Sequence, residues 1–468
     1  MKSLKILLAA TVAAFAANGR LPAQSVATNA PSTVAAPLAT NTPAWLTRPL
    51  SLADALNTAL SQNATLLKAK NDLQASHGLV VQTRAVALPL VQATGKYTDN
   101  EITTVPTVSF GPGVAYLPLP HENWNAGVQI VQSVYEGGRL RAAIKAATAT
   151  QQQALAQYNT VVADTLLNVR LAYYDVLLAA QQIVVHEASV ELLQKELEDQ
   201  QHRFDAGTVP KFNVLRADVA VANERPNLIH ARNQYRIAKN NLSNLLGYNL
   251  PREVWEDLPL NLTDGLDTAP WNVVLPDAIE HALQWRPELV ALRKQVELQD
   301  LNIINARAGY KPTVQVFAGY GWFNNSFGSE VGNELNGWNA GAQVSWNLFD
   351  GLLTRGKVIQ AKAQYDHAKT DLADQLRQIE LAVRTAYSDF IEARETLDSQ
   401  QKVQAEADEA LREANARADA GTGTQLDVLD AQTSLTQART TLVQAQHDYV
   451  AARARLERAI GADLAPPK

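Results

Sequence analysis

Apolar and polar residues alternate along four short stretches of the chain, the clearest of which begins at Trp338. Its even-numbered positions are apolar as far as Leu348, and its odd-numbered positions are polar or glycine. Alternation of this kind predicts a strand with one apolar face and one wet face. Shorter or weaker versions of the pattern lie in residues 313–322, 91–97 and 124–130. Each predicted strand has about 10 residues, enough to cross a bilayer at a tilt.

Helical periodicity fills most of the remaining chain. The predicted helices are about 36, 70 and 36 residues long in each half. They cover residues 51–87, 138–206 and 211–246, and then residues 276–310, 352–420 and 425–460. At 1.5 Å per residue, two short helices laid end to end match one long helix of roughly 105 Å. We therefore expect the chain to ascend a short helix, cross a strand pair, descend a long helix, turn, and return along the second short helix.

The last predicted helix carries an apolar residue at every third or fourth position from Val428 to Leu456, with alanine at alternate steps. A sustained 3.5-residue period predicts a left-handed coiled-coil seam, and alanine lets the helices approach closely. The first half repeats the seam from residue 214 to residue 242, but it has Pro226 where the second half has Thr440. A proline inside a helix removes a hydrogen bond and costs about 3 kcal/mol. We expect the two helical hairpins to differ in straightness.

The two halves are copies of one unit. The tetrapeptide Trp-Asn-Ala-Gly at 124–127 returns at 338–341, and Asp-Ala-Gly-Thr at 205–208 returns at 419–422, both 214 positions later. Upstream the offset is 223, so the difference in length falls before Trp124 and predicts a longer loop there. The first predicted repeat covers 51–247, with a β-hairpin at about 90–135 and a tip turn at 207–210. The second covers 276–461, with a β-hairpin at about 312–350 and a tip turn at 421–424. An equatorial linker at 248–275 joins them, and a C-terminal tail follows at 462–468.

The N-terminus has the pattern of a secretory signal, with Lys2 and Lys5 ahead of an apolar run from residue 6 to residue 17. We assign residues 1–23 to a signal peptide and residues 24–50 to a flexible leader. No later stretch offers about 18 uninterrupted apolar residues, so we expect no transmembrane helix. Four strands cannot close a barrel, and lipid does not tolerate an open sheet edge. Either further copies of the chain complete a barrel, or the strands belong to a soluble protein.

Composition excludes several classes of function. The net charge of −6 leaves no basic footprint for nucleic acid, and the absence of cysteine removes disulfides and thiolate chemistry. The eight histidines show no paired metal-binding spacing, and no nucleophile motif is present. The segment Gly351–Val358 falls short of a phosphate-binding loop, because valine stands where Mg²⁺ requires a hydroxyl. We expect a protein that is not an enzyme and that uses no cofactor or metal.

Several motifs resemble the outer-membrane efflux (TolC-like) family: the YEGG and FDG turns after the strands, both DAGT turns, the RPEL segment, and the helix endings RNQYRIAKNNLSNLLG and HDYVAARARLERAIG. The resemblance implies a mainly α fold, in which long antiparallel coiled-coil helices form a periplasmic α-barrel. It also implies a homotrimer whose four strands per chain build a twelve-stranded transmembrane β-barrel in outer-membrane lipid. Such a trimer is an exit duct, joined through a periplasmic adaptor (membrane fusion) protein to an inner-membrane efflux pump or type I secretion transporter.

The two tip turns are where the resemblance places adaptor contact. Glycine after a helix is also a routine C-cap, so a purely structural role stays open. Relatives can carry a basic residue just after the second turn that helps to latch the tube, whereas this chain has glycine there. The candidate docking residues are Gly207, Thr208, Val209, Gly421, Thr422 and Gly423.

Asp427 and Asp430 lie one turn into the last predicted helix, on one face. In similar proteins acids at these positions narrow the channel entrance, and three copies would form a carboxylate ring that favours cations and holds divalent ions. The segment from Thr424 to Asp427 also has the spacing of a capping box, so a capping role for Asp427 stays open.

Aromatic residues near strand ends are typical of membrane interfaces. Two functions remain open from the sequence. One is the exit duct of a pump that exports small toxic compounds, metal ions or secreted polypeptides, and the other is a passive outer-membrane pore or envelope-spanning scaffold without a pump. The cargo stays unassigned, because in this architecture the pump selects it. The candidate interface aromatics are Tyr97, Trp124, Tyr320, Trp322, Trp338 and Trp346.

Overall fold

Helices make up most of the computed structural model, which describes residues 48–101, 104–105, 107–108, 111–112, 117–118, 120–248, 258–324 and 334–461. The predicted signal peptide, most of the leader, part of the linker and the C-terminal tail lie outside these residues. The helices are α1 Leu52–Gln62, α2 Ala64–Ala85, α3 Arg139–Asp205, α4 Lys211–Leu245, α5 Leu275–Trp285, α6 Pro287–Arg307, α7 Leu353–Asp419 and α8 Gln425–Ile460. The strands are β1 Leu90–Asp99, β2 Thr107–Val108, β3 Leu117–Pro118, β4 Glu122–Glu136, β5 Thr313–Phe323 and β6 Leu335–Ser345.

The long helices agree with the sequence prediction to within one residue at each end. Helices α3 and α7 have 67 residues each, and α4 and α8 have 35 and 36. Helix α4 runs continuously through Pro226. By length and composition alone, α3 contains one segment apolar enough to cross a membrane, of which 33% is buried. At about 100 Å, however, α3 is more than three times as long as the roughly 30 Å hydrocarbon core.

The prediction of one continuous helix before each strand pair is wrong at two positions. Asn63 adopts an extended conformation between α1 and α2, and its side-chain oxygen accepts hydrogen bonds from the N–H groups of Thr65 and Leu66. Arg286 separates α5 from α6 because the following Pro287 pushes it out of the helical region (ψ 124°). Apolar periodicity continues across both breaks, since each pair of helices buries residues on either side of its break.

Strands β1, β4, β5 and β6 form one antiparallel sheet in that order. The register places Tyr97 opposite Trp124 and Tyr320 opposite Trp338, so the predicted apolar faces coincide on one side of the sheet. The pairing of β4 with β5 shifts between Ser133 and Tyr135. This one-residue bulge keeps Tyr135 on the apolar side, where simple alternation would have reversed it.

The turns from strand to helix differ between the two halves. Gly137 and Gly138 have positive φ angles of 66° and 94° before α3. In the second half the corresponding residues are Gly351 and Leu352, with φ angles of 65° and 70°. Leu352 is the one non-glycine residue with positive φ in the described part of the chain. This conformation costs an L-residue roughly 1–2 kcal/mol.

Helix α8 is buried on two sides because it packs against both α7 and α3. The predicted seam residues Leu435, Ala438, Tyr449 and Leu456 are buried, which confirms their place in a helix interface. A second buried row on α8, not predicted from the sequence, includes Gln432, Val443, His447, Val450, Ala454 and Arg458. The described part of the linker contributes to both main clusters of buried residues: Leu260 belongs to the cluster that contains Tyr173, and the ring of Trp271 contacts that of Phe390.

Candidate functional sites at the helix tips and on the aromatic strand face

The first tip turn, between α3 and α4, is a Schellman motif. Gly207 has a φ of 75°, and the N–H of Thr208 donates to the carbonyl of Arg203 at 2.9 Å. The Thr208 hydroxyl donates to the same carbonyl at 2.8 Å. Glycine adopts this φ without strain, so the geometry of the turn depends on Gly207.

The second tip turn, between α7 and α8, repeats this geometry. Gly421 has a φ of 72°, and the N–H and hydroxyl of Thr422 both donate to the carbonyl of Arg417, at 2.9 and 3.2 Å. Gly423 packs so closely that a β-carbon there would lie 3.0 Å from the backbone nitrogen of Ala418. This close approach gives a physical reason for glycine at position 423.

The two tip turns lie beside each other. Arg203 at the end of α3 approaches Asp419 at the end of α7, with 3.4 Å between Nη2 and Oδ1. Gln425 at the start of α8 donates to the carbonyl of Asn213 on α4 at 3.0 Å. The structure therefore brings residues 207–209 and 421–423, predicted separately from the sequence, to one end of the helices.

Asp427 and Asp430 differ in their surroundings although both side chains are exposed. The Asp427 carboxylate accepts from the N–H and the hydroxyl of Thr424, both at 2.8 Å, and the Asp427 N–H donates back to that hydroxyl. These hydrogen bonds lower the pKa of Asp427. The capping box is thus formed. The side chain of Asp430 forms no hydrogen bond or ion pair with any other described residue.

Five of the six predicted interface aromatics lie in the half of the sheet farther from the helices. Tyr97 and Tyr320 stand opposite Trp124 and Trp338, and the Tyr320 and Trp322 rings meet edge to face at 4.9 Å. Trp338 is 79% exposed in the isolated chain. An exposed aromatic group of this kind is typical of the boundary between lipid and water.

Trp346 lies at the opposite end of the sheet, one residue beyond β6, because the strand ends earlier than predicted. Its indole N–H donates to the carbonyl of Tyr310 at 3.1 Å. Leu348 and Phe349 beside it are 81% and 83% exposed. Trp338 and Trp346 are separated by about 27 Å at 3.4 Å per residue, close to the height of the apolar band of outer-membrane barrels.

Comparison with known proteins identifies the family. The model of the family described as outer membrane efflux protein matches residues 55–248 and 278–462. The chain belongs to the outer membrane efflux protein family. Outer membrane protein TolC of Vibrio cholerae is 27% identical over 423 residues, covering 88% of this chain and 90% of that protein. The cobalt-zinc-cadmium resistance protein CzcC of Cupriavidus metallidurans is 24% identical over 394 residues, covering 84% and 85%.

A solved structure shows the same fold. The Campylobacter jejuni CmeC outer membrane channel matches with a TM-score of 0.75 at 14% identity, over 88% of this chain and 86% of that one. The efflux-family assignment makes this chain an outer-membrane transport protein. The tip turns and the aromatic strand face of this chain lie at opposite ends of the long helices.

One cluster of charged side chains in this efflux-family chain was not predicted from the sequence. Arg458 on α8 is buried, and its guanidinium contacts Asp164 on α3 at 2.8 Å and Glu288 on α6 at 2.6 Å. Glu288 also pairs with Arg286 at 3.0 Å. Burial raises the pKa of Glu288, but the two arginines outweigh it and lower the pKa to about 2. Arg453, Arg455 and Glu457 lie in the same helix ending, so nothing in the sequence singles out Arg458.

Proposed function

We propose that three copies of the chain assemble into one channel that crosses the outer membrane and the periplasm. Strands β1 and β6 form the two edges of the sheet. Unpaired edges are not tolerated in lipid, so each edge needs a partner from another copy. Three sheets joined edge to edge, with β6 of one copy beside β1 of the next, close into a twelve-stranded barrel whose aromatic face meets lipid.

The surface of α4 also supports assembly. Its apolar side chains lie on the side away from the buried residues Ala217 and Val221, at intervals that place them on one face. A row of exposed apolar residues on a helix indicates a contact with a further partner. In the proposed trimer the helices of the neighbouring copy cover this row, and together the helices form the periplasmic tube. The row consists of Phe212 (61% exposed), Leu215 (53%), Val219 (56%), Ile229 (68%) and Ile237 (43%).

The channel serves as the exit duct of an inner-membrane efflux pump or type I secretion transporter, and a periplasmic adaptor docks at the tip turns. The observation that carries this proposal is the pairing of two matching Schellman turns through Arg203 and Asp419. A trimer would present six such turns in a ring at the periplasmic end. Val209 and Leu426 flank the turns, and Leu426 is 45% exposed, so the ring offers apolar as well as polar contacts.

In this proposal Asp430 and Asp427 narrow the periplasmic entrance. Three copies would place six carboxylates around the tube, which favours cations. The cargo class depends on the pump: small toxic compounds, metal ions and secreted polypeptides all remain candidates. The Cupriavidus relative is named for resistance to cobalt, zinc and cadmium, which favours metal export as one of these classes.

Photo-crosslinking in living cells tests the docking proposal. A photoreactive amino acid at Val209 or at Leu426 is expected to capture an adaptor, identified by mass spectrometry, whose associated pump then indicates the cargo class. Position 423 is unsuitable, because a side chain there would collide with Ala418. The matched control is Ile359, which is 61% exposed at the strand end of α7 and lies far from the tips. Crosslinks only between copies of this chain at all three positions would favour a passive pore or scaffold.

A further inference from the structure

One imidazole and two carboxylates meet at the outer end of the first strand pair, remote from the helices. Asp99 ends β1 and Glu122 begins β4, and the register pairs these two residues directly. His121 Nδ1 lies 2.8 Å from Asp99 Oδ1. One ligand atom from each of the three side chains lies within 4.8 Å of the other two. No other set of three histidine, cysteine or acidic side chains meets this spacing among the residues that the structure describes.

We propose that Asp99, His121 and Glu122 bind a divalent transition-metal ion and that the ion fastens the outer ends of β1 and β4 together. An imidazole nitrogen with carboxylate oxygens is a donor set that suits zinc and its neighbours in the first transition row. Calcium and magnesium favour oxygen ligands alone. Three protein ligands leave a fourth position for water, as in other open zinc sites.

Electrostatics favours a bound dication at this position. Like charges directly opposite each other destabilise a strand pair, and the register imposes that arrangement on Asp99 and Glu122. Neither carboxylate forms an ion pair with a lysine or arginine among the described residues. Lys96 is close in sequence, but it pairs with Asn125 and so points to the other side of the sheet. A divalent ion would neutralise both carboxylates at once.

The backbone already holds the ligands in place. The N–H of Asn100 donates to the carbonyl of His121 at 2.9 Å, which continues the strand pairing up to the site. Zinc binds nitrogen and oxygen at about 2.0–2.2 Å, so its ligand atoms stand roughly 3–4 Å apart. The side chains of His121 and Asp99 are 44% and 56% exposed, so they can rotate the short distance needed. The metal would then take the place of the hydrogen bond between them.

The chain contains a matched control. His367 Nδ1 lies 2.8 Å from Asp371 Oδ2 on the exposed surface of α7. This pair has the same hydrogen bond as His121 and Asp99 but lacks a third ligand side chain. A site that needs all three ligands will therefore distinguish the two histidines, whereas adventitious zinc binding to any exposed histidine will not.

Zinc titration by calorimetry tests the proposal on the full chain, purified in detergent as its natural assembly and without a histidine tag. We expect one tightly bound zinc per chain. The variants His121→Ala, Asp99→Asn and Glu122→Gln should each weaken zinc binding by about tenfold or more, and His367→Ala should leave it unchanged. Equal binding by wild type and His121→Ala would overturn the proposal, as would calcium binding more tightly than zinc.

A second measurement keeps the test independent of any variant that fails to fold. Crystals of the unsubstituted protein soaked in zinc and measured at the zinc absorption edge should show an anomalous peak between His121 and the two carboxylates. A peak only at other positions, or no peak, would overturn the site.

Discussion

His447 Nε2 on α8 lies 2.9 Å from Asp175 Oδ1 on α3, although 272 positions separate the two residues in the sequence. The other ring nitrogen, Nδ1, lies 3.0 Å from Asp448 Oδ1. Burial lowers the pKa of His447, but the hydrogen bonds to the two carboxylates outweigh it, so that the pKa is raised above its ordinary value. Protonated His447 donates to both acids and links two helices that are far apart in the sequence.

This contact predicts a contribution to stability that is larger at acidic than at alkaline pH. Because the folded pKa lies above the unfolded value of 6.5, the stabilisation is fully present below that value and is lost as the pH rises through the folded pKa. We expect His447→Gln to remove this part of the pH dependence, measured as the denaturant midpoint at about pH 5.5 and pH 8.5. The control is His367→Gln at an exposed pair. A His447→Gln variant with the full wild-type pH dependence would refute the assignment.

The second prediction concerns the buried guanidinium of Arg458. Arg458→Met would leave Glu288 with Arg286 as its remaining cation, and breaking a buried ion pair costs about 3 kcal/mol of unfolding free energy. Glu288→Gln alone would leave Arg458 partly uncompensated. The double variant should cost less than the sum of the two single variants, because the residues interact directly. Denaturant unfolding of the four proteins measures this coupling, and strictly additive costs would show that the contact contributes nothing.

The third prediction separates Asp430 from Asp427 at the proposed entrance. Asp430→Asn should lower the preference for cations and weaken block by divalent cations in a planar bilayer, without a change in stability. Asp427→Asn should also cost about 1 kcal/mol of unfolding free energy, because it weakens the cap with Thr424. Thr424→Ala is the control for the cap alone, and it should leave ion selectivity unchanged. Wild-type current ratios in Asp430→Asn would argue against a carboxylate ring.

The fourth prediction concerns Leu352, which adopts the left-handed conformation held by Gly138 in the first half. Leu352→Gly should stabilise the protein by about 1 kcal/mol, because glycine relieves the backbone strain. Gly138→Leu is the reverse test. A β-carbon at residue 138 meets no atom within 4 Å, so the expected loss reflects backbone strain and not a clash at the β-carbon. Denaturant midpoints measure both, and a loss of stability in Leu352→Gly would mean that contacts of the leucine side chain matter more than strain.

The sequence predicts the long helices and the strand faces because both depend on local periodicity. The seam through Leu435 and Tyr449 and the alternation around Trp338 are examples. The bulge between Ser133 and Tyr135 could not be predicted, because it leaves the composition of the strand unchanged and appears only in the pairing with β5. The break at Arg286 had a sequence signal in Pro287, but the apolar period continues through it and obscures it.

In the candidate sites, too, local features could be predicted from the sequence and contacts between distant residues could not. The turns at Gly207 and Gly421 were visible as repeated motifs, whereas their proximity through Arg203 and Asp419 depends on tertiary packing. The contacts of Arg458 were also hidden, since they join residues 170 and 294 positions apart. Asp427 shows a different limit: one carboxylate satisfies both the spacing of a cap and the position of an entrance residue, and spacing alone does not choose between them.

The location of the Arg458 cluster has a mechanical consequence. Arg458 lies at one end of α8 and Asp430 near the other, about 42 Å away at 1.5 Å per residue. If α8 tilts as a rigid body about Arg458, a tilt of about 5° moves Asp430 sideways by about 4 Å. Small movements of the charged residues around Arg458 would therefore produce larger changes in the width of the proposed entrance at the far end of the helix.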